Sequence, residues 1–186
     1  MARRRIRSAI LDILFLAIIA VLAFGLFQYM FSTIPVLGVS METTLHDNDK
    51  VLVYKIGKYD YGDIVVFNTH LIGDGGERYF VKRIIGLPND EISIYYDDDD
   101  KKFYVWRNGE RLEEEYIQSD SPMTAEMPAI VVPQGEFFFL GDNRGESSDS
   151  RTGLMGKLDS ITGRVVARYH ITQHHFDFEF IKRREA

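Results

Sequence analysis

The longest apolar stretch of the chain lies close to its N-terminus. Residues 13–27 (ILFLAIIAVLAFGLF) contain no polar side chain, and flanking apolar residues lengthen the run to about 20 residues, enough to cross a bilayer as a helix. Asp12 and Gln28 would then lie near the two interfaces. The pattern predicts a transmembrane helix. A cleaved secretory signal is the alternative, but the run is long and no small-x-small cleavage site follows it.

Beyond this run, short segments rich in β-branched and aromatic residues alternate with turn residues, which is typical of β-strands. No helical period after residue 32 lasts more than two turns, and Asn108-Gly109 is a two-residue hairpin signal. The pattern predicts an all-β domain of coiled antiparallel sheets over residues 32–186, behind an anchor at 1–31. The predicted strands are 51–56, 63–68, 78–87, 91–96, 103–112, 129–133, 136–142 and 163–171.

Two polar segments are predicted to be loops. The run 97–100 (DDDD), followed by Lys101, resembles an engineered protease or epitope tag, which is one alternative. It falls between two predicted strands, and its charges would repel one another in a core, so we expect a solvated hairpin loop without chemistry. Residues 113–128 are polar and contain two prolines, which indicates a loop or a mobile excursion near the rim of the domain. The C-terminal tail HHFDFEFIKRREA receives no assignment.

Composition and charge narrow the possible functions. None of the 186 residues is cysteine, which excludes disulfides, thiolate metal sites and a cysteine nucleophile. The net charge is −6, but residues 1–31 carry +3 and the remainder therefore −9. By the positive-inside rule the arginine-rich start is cytoplasmic, which places everything after Phe31 on the outer face. An acidic domain without a basic stripe argues against a nucleic-acid partner.

Ser40 lies about nine residues beyond the apolar run, in the sequence PVLGVSMETTL, and is a candidate nucleophile. A serine hydroxyl reacts poorly unless a neighbouring base accepts its proton. The usual base is histidine, but no histidine of this chain lies in a motif that resembles a triad partner. A Ser-His-Asp triad stays an alternative, because triads are assembled in space and not in sequence. The histidines are His46, His70, His170, His174 and His175.

Lys82 is the second candidate base. In a strand, Phe80, Lys82 and Ile84 share one face, so apolar residues flank the lysine on its own side of the sheet. Burial disfavours the ammonium ion, and the neighbouring Arg83 is expected to push its pKa in the same direction. A base that works near neutral pH needs a lysine pKa of roughly 7–8 instead of about 10.4. The alternative is a lysine that reaches the solvent from a strand edge.

Four motifs in a fixed order resemble the boxes of the bacterial type I signal peptidases, the Ser-Lys endopeptidases of peptidase family S26. They are SMETTL (40–45), GDIVVF (62–67), KRIIGLPND (82–90) and GDNRGESSDSR (141–151), behind an N-terminal anchor. The resemblance covers residues 40–151 and implies the signal peptidase/LexA-like β fold. Two departures are Thr43, where the family usually has proline, and the stretch TGLMG after Arg151, which is one residue shorter than the common pattern.

The resemblance implies a role for each matching position. Ser40 corresponds to the nucleophile, Lys82 to the general base, and Ser147 to the serine whose hydroxyl orients the lysine amine. Asp149 and Arg151 match a salt-bridged pair beside the site, and Asp142 belongs to the same supporting group. The backbone N–H of Ser40 would form part of the oxyanion hole. Gly38 occupies a position where some members carry a serine that donates a second hydrogen bond, so this glycine matches the Gram-positive pattern.

The resemblance also implies the substrate, which is the signal peptide of an exported preprotein, bound as an extended strand and cut after a small-x-small sequence. The partners are then signal peptides and the lipid bilayer, no cofactor or metal ion is required, and a monomer is expected. Eight residues are candidates for the substrate pockets, although ordinary core packing is the alternative for each. Val36, Met41, Leu45, Phe80 and Val81 are assigned to the pocket nearest the cut, and Ile34, Val51 and Val66 to the one two residues upstream.

Two other functions remain open at this point. The first is a non-catalytic or specialised relative that binds exported subunits during assembly of surface structures such as pili; the presence of both Ser40 and Lys82 favours the enzyme. The second is a soluble, self-cleaving Ser-Lys regulator, which shares the chemistry. Such a regulator would carry a DNA-binding domain in place of the 31-residue anchor.

Overall fold

The computed structural model describes residues 2–69, 79–117, 122–171 and 176–182. One long helix, α1 (Ala2–Met30), runs directly into the first strand. Its segment Ile10–Met30 is 21 residues long, and none of it is buried against the rest of the protein. An apolar helix of this length that is not buried fits a single-pass membrane anchor.

The remainder of the described chain is built from antiparallel strands. The strands are β1 (Phe31–Pro35), β2 (Lys50–Tyr54), β3 (Ile64–Asn68), β4 (Tyr79–Gly86), β5 (Glu91–Asp97), β6 (Lys102–Arg107), β7 (Glu110–Arg111), β8 (Met127–Val131), β9 (Glu136–Leu140), β10 (Gly156–Lys157), β11 (Ile161–Ile171) and β12 (Phe176–Phe180). The larger sheet has the order β1-β2-β11-β3-β4-β9-β10, with β12 paired to β11, and the smaller one has the order β7-β6-β5-β8. The predicted all-β class behind one N-terminal helix is confirmed.

Strands β3 and β4 lie in the interior of the larger sheet. All five residues of β3 are buried, and β4 pairs with β3 on one side and β9 on the other. Apolar side chains from these strands belong to clusters on both faces, including an aromatic cluster around Phe67, Phe137 and Phe139. A side chain on β4 is therefore shielded from water by its neighbouring strands and by the packed apolar residues around it.

The eight predicted strands correspond to nine observed ones, because 103–112 covers both β6 and β7, and their ends shift by a few residues. Arg78, the first residue of the predicted strand 78–87, lies outside the described residues. The expected hairpin at Asn108-Gly109 is confirmed, since Arg107 pairs with Glu110 and both loop residues have positive φ, as a type I′ turn requires. The expected solvated loop at 97–100 is confirmed as the turn between β5 and β6. Strands β1, β10 and β12 were not predicted; β12 lies in the tail that received no assignment.

The prediction for residues 113–128 needs a correction. Their described part is largely a loop, but it is packed against the domain and does not project freely from its rim. The Glu114 side chain is 5% exposed, and Tyr116 and Met123 are 5% and 6% exposed. Glu114 forms a buried ion pair with Arg144, 2.5 Å between Oε1 and Nη2. The polar composition misled because a charged residue in a loop can be buried when a partner neutralises it.

Candidate active site

Ser40 lies in the turn that follows β1, and two contacts from the 141–151 box hold this turn in place. The Asn143 backbone N–H donates to the Ser40 carbonyl oxygen over 3.2 Å, and its side-chain amide donates to the Val39 carbonyl oxygen over 3.0 Å. Gly38 has a φ of +90°, and its N–H donates to Asp47 Oδ1 over 2.7 Å. The positive φ explains a glycine at this position, because L side chains are strained there.

Lys82 reaches Ser40 from the middle of the larger sheet. Only 5% of the lysine is exposed, and its Nζ is hydrogen bonded to Ser40 Oγ. The Phe80 ring centroid lies 5.3 Å from Nζ. Strand β4 thus brings an amine 42 residues away in sequence into direct contact with the hydroxyl.

The surroundings of Lys82 lower its pKa from 10.5 to about 8. Burial is the largest cause, because removal of water penalises the ammonium form. The carboxylates of Asp149 and Asp142 oppose this shift, and the guanidinium of Arg151 adds to it. A lysine with this pKa is partly neutral near pH 7 and can accept a proton.

The contribution expected from Arg83 needs a correction. Its guanidinium makes a bidentate ion pair with Asp142, with N–O distances of 2.6 and 2.8 Å, and lies 3.9 Å from the Tyr116 ring centroid. Asp142 also accepts a hydrogen bond from the Thr44 hydroxyl over 2.6 Å. The neutralised Arg83 leaves Arg151 as the cation that lowers the lysine pKa.

The 141–151 box forms a compact support beside the dyad. Arg151 contacts both carboxylate oxygens of Asp149 at 2.7 and 2.9 Å, so the predicted salt bridge is confirmed. Asp149 also accepts from the Gly141 N–H over 3.2 Å. A Cβ on Gly141 would collide with Ser147 and with the Ser40 carbonyl oxygen, which explains the glycine at this close approach.

Ser147 lies beside this glycine, but its hydroxyl does not make the expected contact. The Oγ is buried and has no hydrogen-bond partner among the described residues. A hydrogen bond from Ser147 to the lysine amine is therefore absent from this arrangement of the described chain, and the orienting role stays a prediction.

A groove of about 650 Å³ passes over the dyad. Both Ser40 and Lys82 line it, and most of its other walls are apolar. Of the five candidate histidines, His46 and His170 lie instead at Asp49, with N–O distances of 3.6 and 3.2 Å. The other three, His70, His174 and His175, lie outside the described residues. The open groove, the serine and the lysine with its lowered pKa form one site that can perform nucleophilic acyl transfer.

Comparison with known proteins agrees with this chemistry. The family model described as "Signal peptidase, peptidase S26" matches residues 8–170. The chain belongs to this signal peptidase family. Members of the family are serine endopeptidases, so the predicted family and enzyme class are confirmed.

Proteins of Bacillus species are among the relatives. A protein named "Signal peptidase I" from Bacillus licheniformis is 35% identical over 154 residues, which cover 76% of this chain and 77% of the relative. "Signal peptidase I P" from Bacillus subtilis subsp. natto is 37% identical over 164 residues, covering 81% and 83%. A crystal structure of a signal peptidase I from Enterococcus faecalis V583 is 28% identical, covers 59% of this chain and 98% of that chain, and superposes with a TM-score of 0.46.

Most of the predicted pocket residues of this signal peptidase family member lie in the groove, but two do not. Six of the eight line it: Ile34, Val36, Met41, Val66, Phe80 and Val81. Leu45 and Val51 do not line it; both are fully buried in the cluster beneath. For these two residues the core-packing alternative is correct. They support the groove floor and do not form its surface.

Sequence reasoning missed several residues that build this signal peptidase site. Asn143 and Arg144 lie in the quoted GDNR motif, which was the available signal, but only the structure shows that Asn143 holds the nucleophile turn. The pairing of Arg144 with Glu114 joins residues 30 positions apart, and no local pattern indicates it. Glu146 and Ser148 also line the groove beside the dyad.

Proposed function

We propose that this chain removes signal peptides from exported preproteins, with Ser40 as the nucleophile and Lys82 as the general base. The observation that carries the proposal is the buried Lys82 amine, hydrogen bonded to the Ser40 hydroxyl in an open groove. The relatives named signal peptidase I support the substrate class.

In this mechanism the neutral Lys82 amine takes the proton of the Ser40 hydroxyl as Oγ attacks the scissile carbonyl carbon. The resulting ammonium returns this proton to the leaving nitrogen when the peptide bond breaks, which leaves an acyl-serine ester. Lys82 then takes a proton from a water molecule whose oxygen attacks the ester carbonyl carbon, and returns this proton to Ser40 Oγ as the bond from the acyl carbon to Oγ breaks. The Ser40 backbone N–H donates one hydrogen bond to the oxyanion that forms during the attack. This N–H makes no backbone hydrogen bond within the described part of the chain, so it is available for that role.

The shape of the groove supports a small-x-small specificity. An extended peptide places alternate side chains on the same side, so the residue before the cut and the one two positions upstream face the groove together. Phe80 and Val81 would contact the first, and Ile34 and Val66 the second. The side chains assigned to the two pockets are apolar, so neither pocket offers a partner to a charged side chain. The charged residues among the described lining of the groove are Lys82, at the dyad, and Glu146.

The anchor determines where this reaction takes place. With four arginines before the apolar helix, the N-terminus is cytoplasmic and the β-rich catalytic domain, residues 32–186, lies outside the membrane as a monomer. A tethered nucleophile meets a substrate that is confined to the same plane, so position replaces part of the binding affinity.

A panel of signal-peptide substrates tests the proposal. Wild-type protein is expected to cut after small-x-small sequences, and Ser40→Ala is expected to cut none of them. Lys82→Arg is expected to be equally inactive, because arginine keeps its proton at any useful pH. Turnover by Lys82→Arg at more than a few per cent of the wild-type rate would mean that another base operates.

A further inference from the structure

Glu146 is a charged residue of the groove that the mechanism does not use. It is exposed, follows Gly145 in the box and lines the groove together with Ser148. Lys82 and Glu146 are the only charged side chains among the described residues of this groove. Since Lys82 works in its neutral form, Glu146 supplies the fixed charge at the site.

Neighbouring carboxylates of the box are neutralised, but that of Glu146 is not. Asp142 pairs with Arg83, and Asp149 pairs with Arg151. No hydrogen bond or ion pair with a described residue engages the Glu146 carboxylate. An unpaired carboxylate at the rim of a binding groove can attract a cationic group of the ligand. This attraction is weakened by water and salt, but less so inside a groove than on an open surface.

The position of Glu146 relates this charge to the bond that is cut. The adjacent Ser147 and the Ser40 carbonyl oxygen both lie within 4 Å of one point, the place that a Cβ on Gly141 would occupy. The Glu146 N–H donates to the carbonyl oxygen of Asn143, the residue that holds the Ser40 turn, over 3.2 Å, and Glu146 lines the same groove as Ser40. Glu146 therefore belongs to the end of the groove that holds the nucleophile. The apolar end formed by Ile34 and Val66 lies on strands β1 and β3.

We propose that Glu146 is a specificity-determining residue that favours a cationic side chain next to the scissile bond of the preprotein. The inference rests on the proposed function and adds a charge preference to it. Small side chains occupy the two apolar pockets, so the cation is either the middle residue of small-x-small or the first residue after the cut. Both of these side chains leave the apolar walls and can reach the rim.

A set of otherwise identical peptides tests the proposal, with Lys, Gln or Glu at one of these two positions at a time. For full-length wild-type protein at about 0.05 M salt, kcat/KM is expected to be about tenfold higher for Lys than for Glu at one position, as attraction and repulsion each contribute a few-fold. At about 0.5 M salt the ratio falls towards about twofold. Glu146→Gln lowers the ratio to about twofold at low salt, and Glu146→Lys reverses the preference.

The control is Glu110→Gln, which removes an equal charge from the exposed strand β7 and is expected to retain the wild-type ratio. The pH profile for the Gln peptide is expected to be the same in Glu146→Gln and in wild type, because Glu146 is not among the groups that shift the lysine. An unchanged Lys-to-Glu ratio in Glu146→Gln, or an equal loss in Glu110→Gln, would overturn the proposal. If the Gln peptide is cleaved but Lys and Glu peptides are cleaved equally well, the charge preference is contradicted and the proposed function is not. If no peptide is cleaved, the proposed function is contradicted as well.

Discussion

The Lys82 side chain ends on the Ser40 hydroxyl, and the protonation state of its amine decides whether the hydroxyl can be activated. Protonated Lys82 cannot accept a proton, and its pKa lies at about 8. Below this value kcat/KM is therefore expected to rise about tenfold per pH unit and to level off above it. Steady-state rates on a signal-peptide substrate from pH 6 to 10 measure this, with circular dichroism at each pH as the control for folding. A rate that stays constant over this range contradicts the assignment of the base.

The burial of Lys82 also lowers the free energy of unfolding, because the folded protein must hold the amine away from water. The effect of Lys82 on stability can therefore be measured separately from its role in catalysis. Between about pH 8 and 10.5 the unfolded chain binds more protons at this lysine than the folded one, so wild-type stability rises with pH across this window. We expect Lys82→Met to be inactive but more stable than wild type at pH 7, by up to about 3 kcal/mol, and to lose this advantage above pH 10.5.

Denaturant unfolding at pH 7 and at about pH 10.5 measures the difference. The control is Lys101→Met, at a side chain that is 69% exposed, which is expected to change stability by less than about 0.5 kcal/mol at either pH. A Lys82→Met protein that is less stable than wild type at pH 7 would show that the amine is not held in an unfavourable environment.

At the scale of elements, the loop after β7 is fixed to the catalytic box by a buried ion pair. Both partners are almost fully buried, with Arg144 1% and Glu114 5% exposed, and Glu114 also accepts from the Tyr116 hydroxyl over 2.8 Å. Glu114→Gln leaves the Arg144 charge without its counter-ion, so we expect a loss of about 3–5 kcal/mol in the free energy of unfolding. Glu113→Gln removes an adjacent carboxylate that is 82% exposed and is expected to change it by less than about 0.5 kcal/mol. Equal, small effects in urea unfolding would mean that the loop does not stabilise the box.

Strands that alternate or are rich in β-branched residues were predictable because their own side chains determine the pattern. Strand β4 is the clearest case, since the apolar neighbours of Lys82 on its face indicated a buried amine. The FSTIP sequence of β1 follows the apolar helix without a break, and β10 is two residues long, so neither carries a pattern of its own. The FDFEF sequence of β12 does alternate, but the surrounding histidines and charges obscured it.

The site was predictable as far as residues in contact lie within recognisable motifs. Ser40 and Lys82 were found in this way, and the structure shows that they touch. Contacts between motifs were not predictable: Arg83 turns to Asp142, which leaves Arg151 as the cation that influences the lysine. Leu45 and Val51 were assigned to the pockets but lie in the core, because a sequence does not distinguish a residue in a pocket wall from one directly beneath it.

For the whole molecule, the anchor and the groove define where the enzyme works, and the chain has no cysteine to complicate a test of its orientation. A cysteine at Asp99, in the exposed turn after β5, is expected to react with a membrane-impermeant maleimide in intact cells. A cysteine at Ala2 is expected to react only after the cells are permeabilised, since the positive-inside rule places it in the cytoplasm. The reverse labelling pattern would contradict the proposed orientation, and labelling of Asp99→Cys in the soluble fraction would contradict a membrane anchor.

The proposed catalysis depends on one property of Lys82, whose buried amine beside Ser40 loses its proton far more readily than that of an ordinary lysine. NMR titration of ¹³Cε-lysine in the full-length protein measures this directly, and the Lys82→Met variant identifies the resonance that disappears. We predict that this resonance titrates with a pKa of about 8. Titration near the ordinary lysine value of about 10.4 would contradict the account, since the hydroxyl of Ser40 would then face a permanent ammonium ion.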